Sequence, residues 1–247
     1  MKIRKPAVAG RFYPAEKKEL ENMFSSLLKK EKQKINTGLA KKKITGAVVP
    51  HAGYMFSGYH AIHFFEILKH VEKKFDTIVI VNPNHTGYGP EMSLDMNDAW
   101  ETPLGIVEID KDLQEKMDIP VSEVSHQYEH SGEVMIPFLQ YMLDYEFKIL
   151  PVCMGNQSKQ NAKNLAEQIH EAGDQSGKEI LLVASSDFSH YVDPEFGKQQ
   201  DEKVIKEILD FNPDGVFNSI REHEISVCGF GPIMVLIHYT EMQQGKD

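Results

Sequence analysis

Four short runs of almost unbroken apolar residues, each stopped by turn-forming or polar residues, constrain this chain more than any other feature. They are ITGAVV (44–49), FDTIVIVN (75–82), FKILPVCM (147–154) and EILLVASS (179–186). A strand with one wet face alternates apolar and polar residues. A continuous apolar run is covered on both faces, which is the habit of parallel sheets. Helical spacing fills the intervals. Leu20, Phe24, Leu27 and Leu28 share one face within 15–31, and a second helix is expected at about 58–74. Further helices are expected at 110–117, 132–144 (kinked or delayed by Pro137), 158–172 (ending near Gly173), 199–210, 213–222 and 229–243. Residues 91–109 read as shorter strands around a turn at 103–105. No repeat or linker divides the chain. The sequence therefore predicts one α/β domain over residues 1–247, with helices layered on both faces of a mostly parallel or mixed sheet.

The polar residues that carry chemistry follow these runs directly. ITGAVV leads into Pro50-His51-Ala52-Gly53, DTIVIV into Asn82-Pro83-Asn84-His85, and EILLVA into Ser185-Ser186-Asp187-Phe188-Ser189-His190. In an open parallel sheet such loops gather at the carboxyl edge, where ligands bind. His51, His85, Asp187 and His190 are thus expected to converge from positions 140 residues apart. Imidazole suits iron, copper, zinc or nickel, and a carboxylate or thiolate would complete a facial set with open positions. Glu129-His130-Ser131 adds a histidine near a helix start, and Cys228-Gly229-Phe230-Gly231-Pro232 a thiol beside flexible backbone. Cys153, inside an apolar strand, reads as core. His60, His63, His70, His126, His170, His223 and His238 read as surface or packing residues. A nucleophilic Ser185 or Ser186 beside His190, or a Cys228 thiolate activated by His51, can be drawn from the same residues.

Composition narrows the partners. Residues 1–43 hold 13 Lys/Arg against 4 acids, whereas the remainder holds 14 against 33, and the whole chain carries −10. The basic block reads as a solvated helix and loop. No aromatic-interleaved basic motif accompanies it, so nucleic acid is not an expected partner. No apolar run approaches the ~20 residues that cross a bilayer. The opening MKIRKPAVAGRFYP lacks a continuous apolar stretch, so a cytoplasmic protein is expected. Two cysteines without a CxxC exclude a disulfide scaffold and a zinc ribbon.

Seven motifs then occur in a familiar order: PAVAGRFYP (6–14), VPHAGYMFSG (49–58), NPNHTGYG (82–89), TPLG (102–105), EHSGEVMIPFLQY (129–141), SSDFSHY (185–191) and CGFGPI (228–233). In this they resemble the MEMO family, in the prokaryotic form called AmmeMemoRadiSam system protein B. The resemblance implies a fold like that of the class III extradiol (LigB-type) dioxygenases. By motif it puts two metal-binding histidines at His51 and His85 and a metal-binding thiolate at Cys228, with Asp187 and His190 lining the pocket in catalytic roles. It further implies an iron or copper ion, zinc being a third candidate, and redox activity. The alternative it carries is a non-catalytic protein that binds a peptide or small molecule in the same pocket. As partners it implies such a ligand and a radical SAM protein of the same system. Gly132 stands where the family usually has an apolar residue, which should loosen the 132–144 helix. Relatives continue past the equivalent of Asp247 into a further strand, so an exposed sheet edge is expected.

Overall fold

A computed structural model describes residues 1–244. Its central sheet holds β2 (Gly46–Val49), β3 (Thr77–Pro83), β4 (Met92–Leu94), β7 (Lys148–Met154) and β8 (Ile180–Ser185) in the order β2-β8-β3-β7-β4. β2, β8, β3 and β7 run parallel, and β4 lies antiparallel to β7. The sheet is mixed, and its four parallel members are the four apolar runs. β3 and β8 are buried at every position.

The crossovers produce the layers. α2 (Tyr54–Lys69) carries the chain from β2 past β8 to β3, and α5 (Lys159–Ser176) carries it back from β7 past β3 to β8. Right-handed crossovers taken in opposite directions place their helices on opposite faces. α1 (Lys17–Glu31) and α4 (Ile136–Met142) pack with α2, while α7 (Pro213–His223) and α8 (Phe230–Gln244) pack with α5. α3 (Lys111–Gln114) and α6 (Pro194–Leu209) complete the helices of the described residues. One continuous hydrophobic cluster joins the layers.

Several boundaries differ from expectation for local reasons. α2 starts at Tyr54 rather than 58, because Gly53 turns the chain and the Phe12 carbonyl accepts the Tyr54 N–H at 2.8 Å. α5 runs through Gly173, whose missing Cβ makes room for Ile180, and ends where Gly177 takes a left-handed φ of 64°. The 132–144 segment begins as a 3₁₀ turn at Glu133–Met135, and α4 proper has Pro137 in its first turn. A Cβ on Gly132 would lie 2.7 Å from Asn82 Oδ1, so glycine there permits close packing rather than loosening the helix. Residues 34–43, expected as a loop, contain a 3₁₀ turn at Thr37–Lys41.

A second, three-stranded sheet was not foreseen in full. β5 (Ala99–Thr102) and β6 (Gly105–Glu108) form the expected hairpin, and β1 (Ile3–Arg4) adds in parallel to β5. Two residues carry no readable period, and tertiary bonds hold β1 in place. Arg4, 4% exposed, donates to Glu133 Oε2 at 2.6 Å and to the carbonyls of His126 and Glu129. Glu133 also accepts from the Ala7 and Val8 N–H groups and the Tyr13 hydroxyl. The segment 4–13 is thereby fastened beside the start of α4. β2 pairs only with β8 among the described residues, so one side of it is an unpaired edge.

Candidate metal centre

The parallel strands deliver their loops to one edge of the sheet, and the expected convergence occurs there. His51 follows β2 and is 1% exposed. Asp187, following β8, fixes its backbone: Oδ1 accepts the N–H of His51 at 2.7 Å and of Ala52 at 3.2 Å. The His51 ring extends between two partners, Ser185 Oγ at 2.7 Å from Nδ1 and Cys228 Sγ at 3.1 Å from Nε2. Burial holds this imidazole's pKa well below its ordinary value, and the neighbouring His85 and His130 lower it further.

His85 follows β3 and is clamped by Glu129. One carboxylate oxygen accepts the His85 backbone N–H at 2.6 Å, and the other lies 3.1 Å from Nδ1. Burial opposes protonation of His85, but hydrogen bonding to Cys228 and Glu129 outweighs it and raises the pKa to about 10. Burial disfavours the Glu129 anion, yet His85 and the Ser131 donors prevail and bring its pKa down to about 2.

Cys228 comes from the other end of the chain, just before α8. Its approach depends on Gly229. A Cβ there would sit 2.2 Å from the Ser185 carbonyl and 2.6 Å from Ser186 Cβ, so only glycine lets this backbone press onto the end of β8. Reciprocal contacts with Asp187 then hold the residue: the Cys228 N–H donates to the Asp187 carbonyl, and the Asp187 N–H donates to Sγ, both at 3.3 Å. Gln157, after β7, closes the seam by donating to the Cys228 carbonyl at 2.8 Å and accepting the Gly231 N–H at 2.7 Å.

One donor atom from each of His51, His85 and Cys228 lies within 4.8 Å of the others. The ring centroids of His51 and His85 are 5.1 Å apart. Donors that share an ion at bonds of about 2.0–2.3 Å stand roughly 3–4 Å from one another, so small side-chain shifts would bring all three onto one centre. His85, Glu129 and His130 form a second close group. There Glu129 Oε1 already accepts from the N–H groups of His130 and Ser131 and from the Ser131 hydroxyl, besides facing His85 Nδ1. Its lone pairs are taken.

Asp187 and His190 take different places. Asp187 Oδ2 is 3.7 Å from His51 Nε2, at the rim of the three donors. His190 is tied to Ser226, donating its backbone N–H to Oγ and its Nδ1–H to the carbonyl, each at 2.7 Å. Its charge still bears on His51. His130, noted in the sequence only as a histidine near a helix start, lies against the cluster. Its ring is 4.6 Å from His85, 5.5 Å from His51 and 4.7 Å from Phe12. Sequence reading gave no signal for Gln157. The serine hydroxyls are committed within the fold: Ser185 Oγ donates to the Ser131 carbonyl, and Ser186 Oγ donates to the Asp187 carbonyl and accepts the Gly229 N–H.

The profile of the family described as "Memo-like protein" matches residues 4–247. The chain belongs to the Memo family. It is 42% identical over 240 residues to a MEMO1 family protein of Methanococcoides burtonii, spanning 95% of this chain and 86% of the relative. A MEMO1 family protein of Methanosarcina barkeri is 40% identical over 242 residues, with the same two coverages. One from Archaeoglobus fulgidus is 38% identical over 247 residues, 99% of this chain and 89% of the relative. In this Memo-family chain the motifs at 49–58, 82–89, 129–141, 185–191 and 228–233 are the segments that meet around the cluster. TPLG (102–105) instead makes the β5–β6 turn, away from it.

Among the histidines read as bland, His63 pairs with Glu31 at 3.1 Å and His70 with Glu66 at 3.2 Å. His126 is fully buried, with Nε2 on the Ser93 carbonyl and Nδ1 without a partner. No helix among the described residues is long and apolar enough to cross a membrane.

Proposed function

We propose that this Memo-family protein is a metal-dependent oxidoreductase whose ion is held by His51, His85 and Cys228. The observation that carries the reading is the meeting of two imidazole nitrogens and one thiol sulfur within 4.8 Å, from three segments far apart in sequence. Three protein donors are fewer than a closed structural zinc site uses, so positions remain for water or a ligand. Iron and copper both suit two imidazoles, while the thiolate softens the set and favours copper; zinc fits the same donors without redox chemistry. A redox-active ion in this position supplies electron exchange with whatever binds beside it.

The chain's own residues do the rest. Asp187 holds the His51 loop and keeps a carboxylate oxygen at the rim, where it can orient a ligand or take a proton. His190, its Nδ1–H spent on Ser226, keeps Nε2 for proton exchange. Glu129 holds His85 by both backbone and ring. Metal content of protein purified without chelator, set against the His51→Ala/His85→Ala double variant, tests the reading. Iron and copper should be lost from the variant; equal content in both would reject the site. In titrations, Cys228→Ser should weaken Cu(I) more than Fe(II), and an unchanged copper affinity would remove Cys228 from the ligand set.

A second reading rests on a different observation. Phe56, Tyr88 and Tyr191 stand exposed on the loops that carry His51, His85 and His190. A ring of apolar contacts suits a peptide or small molecule bound without turnover. Ligand binding unaffected by metal removal would favour it.

A further inference from the structure

We infer that Ser185 is a positioning residue that fixes the protonation of His51, so that Nε2 carries a lone pair toward Cys228 before any metal arrives. The inference rests on the metal-site reading for its purpose but not for its evidence, which is the direction of two hydrogen bonds.

A serine hydroxyl has one proton to give. Ser185 Oγ lies 2.7 Å from the Ser131 carbonyl and 2.7 Å from His51 Nδ1. The carbonyl can only accept, so the hydroxyl proton goes to it. The opposite arrangement would give that proton to Nδ1, leaving two oxygens at 2.7 Å with nothing between them and a buried carbonyl unpaired. Oγ therefore accepts from His51, and the proton of the neutral ring sits on Nδ1. Ser131 and Ser185 are both fully buried, so no solvent molecule competes for either bond. Nε2 is left unprotonated, 3.1 Å from Cys228 Sγ.

His85 reaches the same state by another route. Glu129 lies 3.1 Å from its Nδ1 and can only accept, because its pair of oxygens is surrounded by donors: the N–H groups of His85, His130 and Ser131 and the Ser131 hydroxyl. The two imidazoles thus present like nitrogens to one sulfur, one set by a carboxylate and the other by a serine relay to a main-chain carbonyl. Ser131 serves both arms, its hydroxyl on Glu129 and its carbonyl on Ser185. Metal-binding histidines generally give their second N–H to such partners, and losing the partner weakens affinity about 10–100-fold.

The test begins with the wild-type chain, free of metal. Long-range ¹H–¹⁵N spectra of the histidine rings, with His51 assigned through His51→Gln, should show Nδ1 protonated and Nε2 bare. A His51 ring protonated on Nε2 would overturn the proposal without any variant. In Ser185→Ala the His51 signals should shift toward a mixture of tautomers, while those of His85 stay in place. Cu(I) and Fe(II) affinities should each fall about 10–100-fold, and Ser185→Thr, which keeps the hydroxyl, should recover both the spectrum and most of the affinity. An Ala variant with unchanged tautomer and unchanged affinity would show that Ser185 positions nothing. A tautomer shift with no metal bound even by the wild type would uphold Ser185 as the positioning residue and reject the metal site instead.

Discussion

At the scale of single residues, the two cysteines make the sharpest contrast. Cys153 is 1% exposed in β7, and burial pushes its thiol pKa far up, with the Glu129 charge adding to the effect. Cys228 is partly exposed and faces imidazole. Mild alkylation followed by peptide mapping should modify Cys228 first, and Cys153 reacting first would contradict this reading of the site. Gly229 is the residue on which the thiol's position depends. Gly229→Ala must displace the Ser185 carbonyl or the backbone before α8, at an expected cost of about 1–3 kcal/mol in denaturant unfolding. Metal affinity should fall with it, and an Ala variant of normal stability and affinity would show that the close approach is dispensable. Much at this scale was legible in sequence. His51, His85, Asp187 and His190 each directly follow an apolar run, and a run buried on both faces must end where the sheet ends. His130 and Gln157 were not legible as site residues. What places them is a ring stacked on Phe12 and an amide bridging β7 to α8, contacts that no spacing encodes.

At the scale of elements, β1 shows how little local sequence some strands need. Two residues have no period to read, and β1 owes its position to Arg4 and Glu133, an ion pair buried on both sides. Removing one member of such a pair strands the other charge, so Arg4→Ala should cost about 3–5 kcal/mol. Replacing both members by apolar residues should cost less than that single change. Comparison of chemical denaturation midpoints for the two variants checks the order. The longer elements were easier to read because their faces are wide. The misplaced ends of α2 and α5 trace to single tertiary facts, the Phe12 carbonyl that receives Tyr54 and the Ile180 side chain that occupies the space over Gly173.

At the scale of the whole molecule, the buried titratable groups give stability a maximum in pH. Burial lowers the pKa of His126, His51 and His130 below the ordinary histidine value of about 6.5. Each leaves the native state short of a proton that the unfolded chain takes up, so stability declines as pH falls below about 6.5. Glu129, at about 2 against 4.5 for a free carboxyl, adds a loss between those values. His85 works in the other direction. With its pKa raised to about 10, its contribution is complete below about 6.5 and disappears as pH rises toward 10. The metal-free protein should therefore show its highest urea midpoint near neutrality. His85→Gln should flatten the alkaline side and leave the acid side in place; an alkaline limb unchanged by this substitution would assign it to other groups.

The strand order β2-β8-β3-β7-β4 also sets a schedule. On the ribosome β2 emerges early, but its one neighbour in the sheet, β8, is about 130 residues away in the chain. Until residues 180–185 appear, the loop bearing His51 has neither an adjoining strand nor the Asp187 carboxylate that fastens it. The thiol follows some forty residues later still. A nascent chain thus displays both histidines for most of its synthesis without the sulfur that completes the set, and the site comes into being only as translation nears its end.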